Sequence, residues 1–119
     1  MQADYIPIKQ AAEQSGMTEH TLRYYERIGL LQVKRQQNGY RMYAEHDIAW
    51  LAFIQRLKVT GMPLKDIAHL IELRALGPRS LPERQQLIIQ HRKSVLEKIA
   101  QLKNELRKID EKIEYYNKL

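Results

Sequence analysis

The sequence predicts a mainly α protein: a small helical head carrying one β-hairpin, followed by a single long C-terminal helix. Three observations predict it. Apolar residues recur at helical spacing through most of the chain, with Gly and Pro at plausible element ends. One Asn-Gly pair, Asn38-Gly39, sits between β-forming residues. Near the end, Leu81, Gln85, Ile88, Arg92, Val95, Ile99, Leu102, Leu106, Ile109, Ile113 and Tyr116 alternate four and three apart, apolar without a break from Val95. At 119 residues the chain can hold one small domain plus an extended element, not two full cores.

Tyr5 to Ile8 reads as a short extended piece, followed by an amphipathic turn with Ile8, Ala11 and Ala12 on one face. Ser15-Gly16-Met17-Thr18 reads as a tight turn into a second helix. Gly16 takes the positive-φ position, Met17 points inward and Thr18 is the N-cap. That helix is expected to run to about Ile28 and stop at Gly29. Leu31 to Tyr43 reads as a hairpin whose Asn38 and Gly39 both take positive φ in a type I′ turn.

A third helix, from about Glu45 to Thr60, carries Trp50, Phe53, Ile54 and Leu57 as an apolar stripe, widened by Ile48, Leu51 and Ala52. Ala44 is a poor N-cap, by about 1 kcal/mol against Ser or Asp. Glu45 and Asp47 partly offset this at the positive helix end. Gly61 ends the helix and Pro63 opens a fourth, in which Leu64, Ile67, Ala68 and Ile71 share a face. Gly77 and Pro78 stop it.

Ser80 to Glu83 reads as a capping box heading the last helix. At about 1.5 Å per residue that helix spans on the order of 50–60 Å. A lone helix with one apolar seam needs a partner, and no other segment is long enough. The expected partner is the same helix of a second chain, with Val95, Ile99, Leu102, Leu106, Ile109 and Ile113 in the interface. The expected division is a head over residues 1–76 and a coiled-coil dimerisation helix over residues 77–119.

The formal charge is +6, which fits an acidic partner without choosing between nucleic acid and membrane. With no cysteine among the 119 residues, no disulfide, thiolate metal site or thiol redox chemistry is possible within them. No apolar run approaches a membrane span, and MQADYIPIKQ lacks a basic-then-apolar signal region. A soluble cytoplasmic protein without a membrane partner is the expectation. His20, His46, His69 and His91 are scattered, which argues against a metal site. No Ser/His/Asp grouping, phosphate loop or dinucleotide motif supports an enzyme, and no cofactor is expected.

The first two helices fit a helix-turn-helix. On the second, Leu22 and Tyr25 lie three apart and face the core, so His20, Arg23, Tyr24 and Arg27 point outward. An arginine beside a tyrosine suits a phosphate-lined groove; a solvated face with ordinary surface aromatics is an equal reading of this segment alone. The hairpin shifts the balance. Arg35, Tyr40, Arg41 and Tyr43 surround its tip, and residues 23 to 43 hold Arg23, Arg27, Lys34, Arg35 and Arg41 against Glu26 alone. A basic hairpin straight after such a helix is the pattern of a winged helix-turn-helix. A coiled-coil interaction protein has no use for Arg and Tyr concentrated around an Asn-Gly tip.

LRYYERIGLL, NGYRMY and DIAWLAFIQRLKVTGMPLKDI, in that order and spacing, resemble the MerR family of bacterial transcription regulators. The resemblance runs from about Ile6 to Ile71, and the terminal coiled coil extends it. It implies a winged-helix DNA-binding head and an antiparallel coiled-coil homodimer, an orientation the heptads do not supply. Family contacts to double-stranded promoter DNA fall on Thr21, Arg23, Tyr24 and His20 of the second helix and on Tyr40, Arg41 and Tyr43 of the first wing. Thr18, Arg27 and Arg35 complete the candidate set, with Lys58 and Lys65 flanking a second wing at about 58–66. The family also implies activation of promoters with an overlong spacer, acting on RNA polymerase through shared DNA; a plain repressor is the alternative. GPRSLPERQQLIIQHR and KIDEKIEYY are similar to the short branch that senses aldehydes or other electrophiles through a cysteine. Arg56 occupies that cysteine's position here, so the thiol mechanism does not carry over.

Overall fold

The computed structural model describes residues 5–28, 31 and 33–119. Gly29, the expected stop of the second helix, lies outside the described residues. The chain divides into two compact units, one reaching Glu72 and one beginning at Leu73.

In the first unit, β1 (Tyr5–Pro7) leads directly into α1 (Ile8–Ser15) and then α2 (Glu19–Arg27). The α1–α2 turn is built as its residue types require. Gly16 closes α1 at φ 74°, which a side chain would strain. Met17 is buried, its N–H donating to Ser15 Oγ at 3.3 Å. Thr18 caps α2, its hydroxyl accepting the Thr21 N–H at 3.1 Å.

The hairpin strands are β2 (Lys34–Arg35) and β3 (Arg41–Ala44). They form a three-stranded antiparallel sheet in the order β1-β3-β2, with Ile6 opposite Tyr43 and Lys34 opposite Met42. The extended piece expected at the start of the head thus becomes the far edge of the wing sheet. The expected type I′ turn is not formed. Gly39 alone takes positive φ, at 86°, and Asn38 does not. The Gly39 N–H closes onto Gln36 O, while Gln36 N–H reaches across to Tyr40 O, so the loop is three residues, Gln37 to Gly39. Asn38 instead uses its side chain, accepting the Tyr40 N–H at 3.1 Å.

α3 (Glu45–Val59) follows β3 without a loop. Asp47 Oδ2 accepts the Ala44 N–H at 3.2 Å, supplying half of a capping arrangement whose other half an alanine cannot make. The buried face of α3 is Ile48, Leu51, Ile54 and Leu57, spaced three apart. Trp50 and Phe53, expected in the leading stripe, are half-buried beside it. Gly61, at φ 90°, ends the segment, and the Met62 N–H folds back onto Leu57 O at 2.9 Å with Met62 buried. In α4 (Leu64–Ala75) the buried residues are Ile67, Leu70 and Leu73. Leu64, expected on that face, is the first residue of the helix and is 73% exposed.

In the second unit, Gly77 at φ 83° leads into a 3₁₀ turn (Pro78–Ser80) and then α5 (Leu81–Asn117), 37 residues long. The expected Ser80 capping box is absent. Ser80 has φ −90° and ψ 0°, not the extended conformation of an N-cap, and is buried. Its hydroxyl donates toward Leu73 O and Gly77 O and accepts from Arg84 Nε at 3.0 Å, so it locks the turn rather than capping the helix. No residue of α5 is buried.

Candidate nucleic-acid interface

The outward face of α2 and the hairpin are where the sequence placed the candidate contacts. On α2, Leu22 and Tyr25 are buried, which turns Arg23, Tyr24 and Arg27 out to solvent with His20. The two adjacent tyrosines therefore have different work. Tyr25 packs into the head, its hydroxyl accepting from Lys58 Nζ at 2.9 Å. Tyr24 is 48% exposed, its ring 6.1 Å from that of Tyr25. Thr21 is half-buried and Thr18 exposed, their hydroxyls 2.9 Å apart. Arg23 lies 3.4 Å from Glu19, an exposed i,i+4 pair that competes weakly with any stronger anion.

The hairpin arginines are held. Arg35 Nη2 donates to Glu26 Oε1 at 2.7 Å and its Nη1 to Gly39 O at 3.0 Å. Arg41 donates through Nε to the other carboxylate oxygen of Glu26. Glu26 on α2 thus grips both strands of the wing. In the sequence Glu26 stands out only as the lone acid of a basic segment. That isolation was the available signal, since one carboxylate among five cations finds a partner wherever the chain folds.

Tyr43 requires a correction. Expected among the wing contacts, it is fully buried, and its hydroxyl has no hydrogen-bond partner among the described residues. Tyr43 sits on β3 opposite Ile6, in a strand that packs against α1 and α3, and its side chain is covered there instead of reaching the surface. Burial, then the nearby Glu26 charge, push its phenol above the usual tyrosine value, against opposing pulls from Arg41, Arg23 and Arg35. Tyr40, at the tip, is 70% exposed. Lys34 sits 5.3 Å over the Tyr5 ring, and its interaction with the Tyr5 phenol holds the ammonium above its ordinary value. Lys58 is exposed but engaged with Tyr25, which it also covers at 5.5 Å, while Lys65 is exposed on the first turn of α4. The structure therefore ties Arg35 and Arg41 to Glu26 of α2, the helix that exposes Arg23 and Tyr24, and withdraws Tyr43.

Among the described residues there is no group of three or more His, Cys, Asp or Glu that could hold a metal ion. None of their helices is long and apolar enough to cross a membrane.

Comparison with known proteins matches this arrangement. A family model described as MerR HTH family regulatory protein covers residues 6–73, and a second, described as MerR, DNA binding, covers residues 48–112. An uncharacterised HTH-type transcriptional regulator of Haemophilus influenzae is 39% identical over 109 residues, which are 91% of this chain and 81% of the relative. The HTH-type transcriptional regulator AdhR of Bacillus subtilis is 37% identical over 76% of this chain and 65% of its own length. Among solved structures, HiNmlR, a MerR family regulator lacking the sensor domain and bound to promoter DNA, superposes with a TM-score of 0.78 at 38% identity, over 87% of this chain and 80% of its own. A MerR family transcriptional regulator from Bacillus thuringiensis gives 0.79 at 32% identity, over 92% and 97%.

Proposed function

Since the chain belongs to the MerR family of DNA-binding transcriptional regulators, we propose that it acts as a homodimer that reads a near-palindromic site inside a promoter. The observation that carries this is the joined surface of α2 and the wing. Arg23, Tyr24 and Arg27 stand exposed on one helix, and Arg35 and Arg41 are tied to that same helix through Glu26. A helix in the major groove with a flanking basic hairpin on the backbone is the division of labour such a surface supports. His20, Thr21, Thr18 and Tyr40 are proposed as further contacts of this surface, with Lys58 and Lys65 as second-wing contacts.

Dimerisation is proposed through α5. Ile99, Leu102, Leu106, Ile109 and Ile113 are all exposed in the single chain, and Val95 half-buried, in a repeat that only another helix can cover. An antiparallel pairing of two α5 helices gives the two-fold symmetry a palindromic site mirrors.

For regulation, the proposal is activation by distortion. Two heads at a spacing set by the coiled coil bend and untwist a promoter whose spacer is too long, presenting both elements to RNA polymerase through the shared DNA. Bending a site of this size costs of order 1–6 kcal/mol, which the basic surfaces must supply. Because no cysteine is present, an inducer would act without thiol chemistry, and diamide should leave the purified protein's DNA binding unchanged. The test is run-off transcription from a promoter with an overlong spacer containing the selected operator. Stimulation supports activation. Steady repression under all conditions would replace it with plain repression.

A further inference from the structure

The grip of Glu26 on both wing arginines has a consequence for DNA reading, given that α2 and the hairpin are the DNA-facing surface. An isolated basic hairpin would hold Arg35 and Arg41 as mobile cations, attracted to any phosphate. Here one carboxylate, itself largely covered, uses one oxygen on each. Arg35 continues the connection to the Gly39 carbonyl at the wing tip. Arg41 is engaged through Nε, not through the terminal nitrogen pair that takes a phosphate side by side. Both arginines are thereby ordered relative to the exposed side chains of α2 before DNA arrives, and one of their two charges is offset.

We propose that Glu26 is a positioning residue for sequence discrimination: it presets the wing against the recognition helix and suppresses indiscriminate phosphate binding. The first effect favours the correct site, because side-chain ordering is already done before association. The second lowers affinity for all other DNA, because a negative charge beside the backbone cancels roughly one phosphate contact. Removing the carboxylate should therefore move operator and non-specific binding in opposite directions. Neither a purely structural role nor simple charge repulsion does that.

The test compares wild type, Glu26→Gln and Glu26→Asp on an operator selected from genomic DNA by the wild-type protein and on a random duplex, across salt concentrations. For Glu26→Gln, operator affinity should fall about tenfold, the loss expected when one or two rotamer-rich side chains must be ordered on binding. Random-duplex affinity should rise, with a salt slope steeper by about 0.9. Glu26→Asp keeps the charge but is too short to reach both arginines. It should lose operator affinity with an unchanged salt slope, and it carries the test if Glu26→Gln does not fold. Tighter binding of both DNAs by Glu26→Gln would reduce Glu26 to charge repulsion and overturn the proposal. A parallel loss on both DNAs with a lowered melting temperature would do so too, as would wild-type behaviour of Glu26→Asp. A wild-type protein that shows no preference for any selected DNA would instead overturn the reading on which the proposal rests.

Discussion

The head and the long helix solve the same problem in opposite ways. Both carry apolar residues at helical spacing. In the head the apolar side chains close on one another: Leu22, Tyr43 and Leu70 are fully buried, and α1 packs against α2, α3 and the small sheet. Along α5 nothing is buried, and Leu102 is 69% exposed. An apolar stripe becomes a core only where the chain brings a second stripe to it. Covering the open half of each seam residue would contribute about 1 kcal/mol per side chain, and a symmetric partner collects that on both chains. The head is therefore expected to owe its stability to its own contacts, and α5 to protein concentration.

The largest effect should come from breaking the seam. Replacing Ile99 and Leu102 together with glutamate should yield monomers by sedimentation and weaken operator binding by about 10²–10⁴-fold, the usual gain from linking two heads. An intact dimer in that variant would remove α5 from the interface. Next, Leu22→Ala should cost about 2–5 kcal/mol of stability, because it empties a fully buried site. That loss should not depend on protein concentration, whereas the loss in Leu102→Ala should be absent in dilute protein and grow as concentration rises into the range where the wild type pairs; denaturant unfolding at two concentrations checks both.

Smaller effects separate reading from folding within the head. Arg23→Ala should leave the melting temperature almost unchanged, since its pair with Glu19 is exposed. It should cost about 1–3 kcal/mol in operator binding if it reads a base. Tyr43→Phe should have the least effect on DNA binding and should stabilise the fold by up to about 1–3 kcal/mol, as it deletes a buried hydroxyl without a partner among the described residues. The pH dependence has a defined sign. Burial raises the Tyr43 pKa above its ordinary 10.0, so the folded state favours the neutral phenol. Its contribution is fully present below pH 10 and is lost as pH rises from there toward the folded value. Tyr43→Phe should flatten that alkaline loss in a thermal melt series.

What the sequence by itself determined is local. Gly16, Thr18 and Met17 specified the α1–α2 turn because each acts within a few residues of itself. The three-residue spacing of Leu22 and Tyr25 decided which face of α2 is wet, and the heptad repeat marked α5 as a helix in need of a partner. Tertiary structure decided everything that joins distant positions. Glu26 meets Arg35 and Arg41 from 9 and 15 residues away, and Lys58 reaches Tyr25 across 33. Tyr43 alternates with its neighbours in any strand, but only the packing of α1 and α3 against β3 made its face the inner one. Ser80 had the right neighbours for a cap and spent its hydroxyl on carbonyls up to seven residues back. Periodicity and turn chemistry act over the few residues one turn contains. Burial and charge pairing depend on which surfaces the chain brings together, and no local pattern carries that choice.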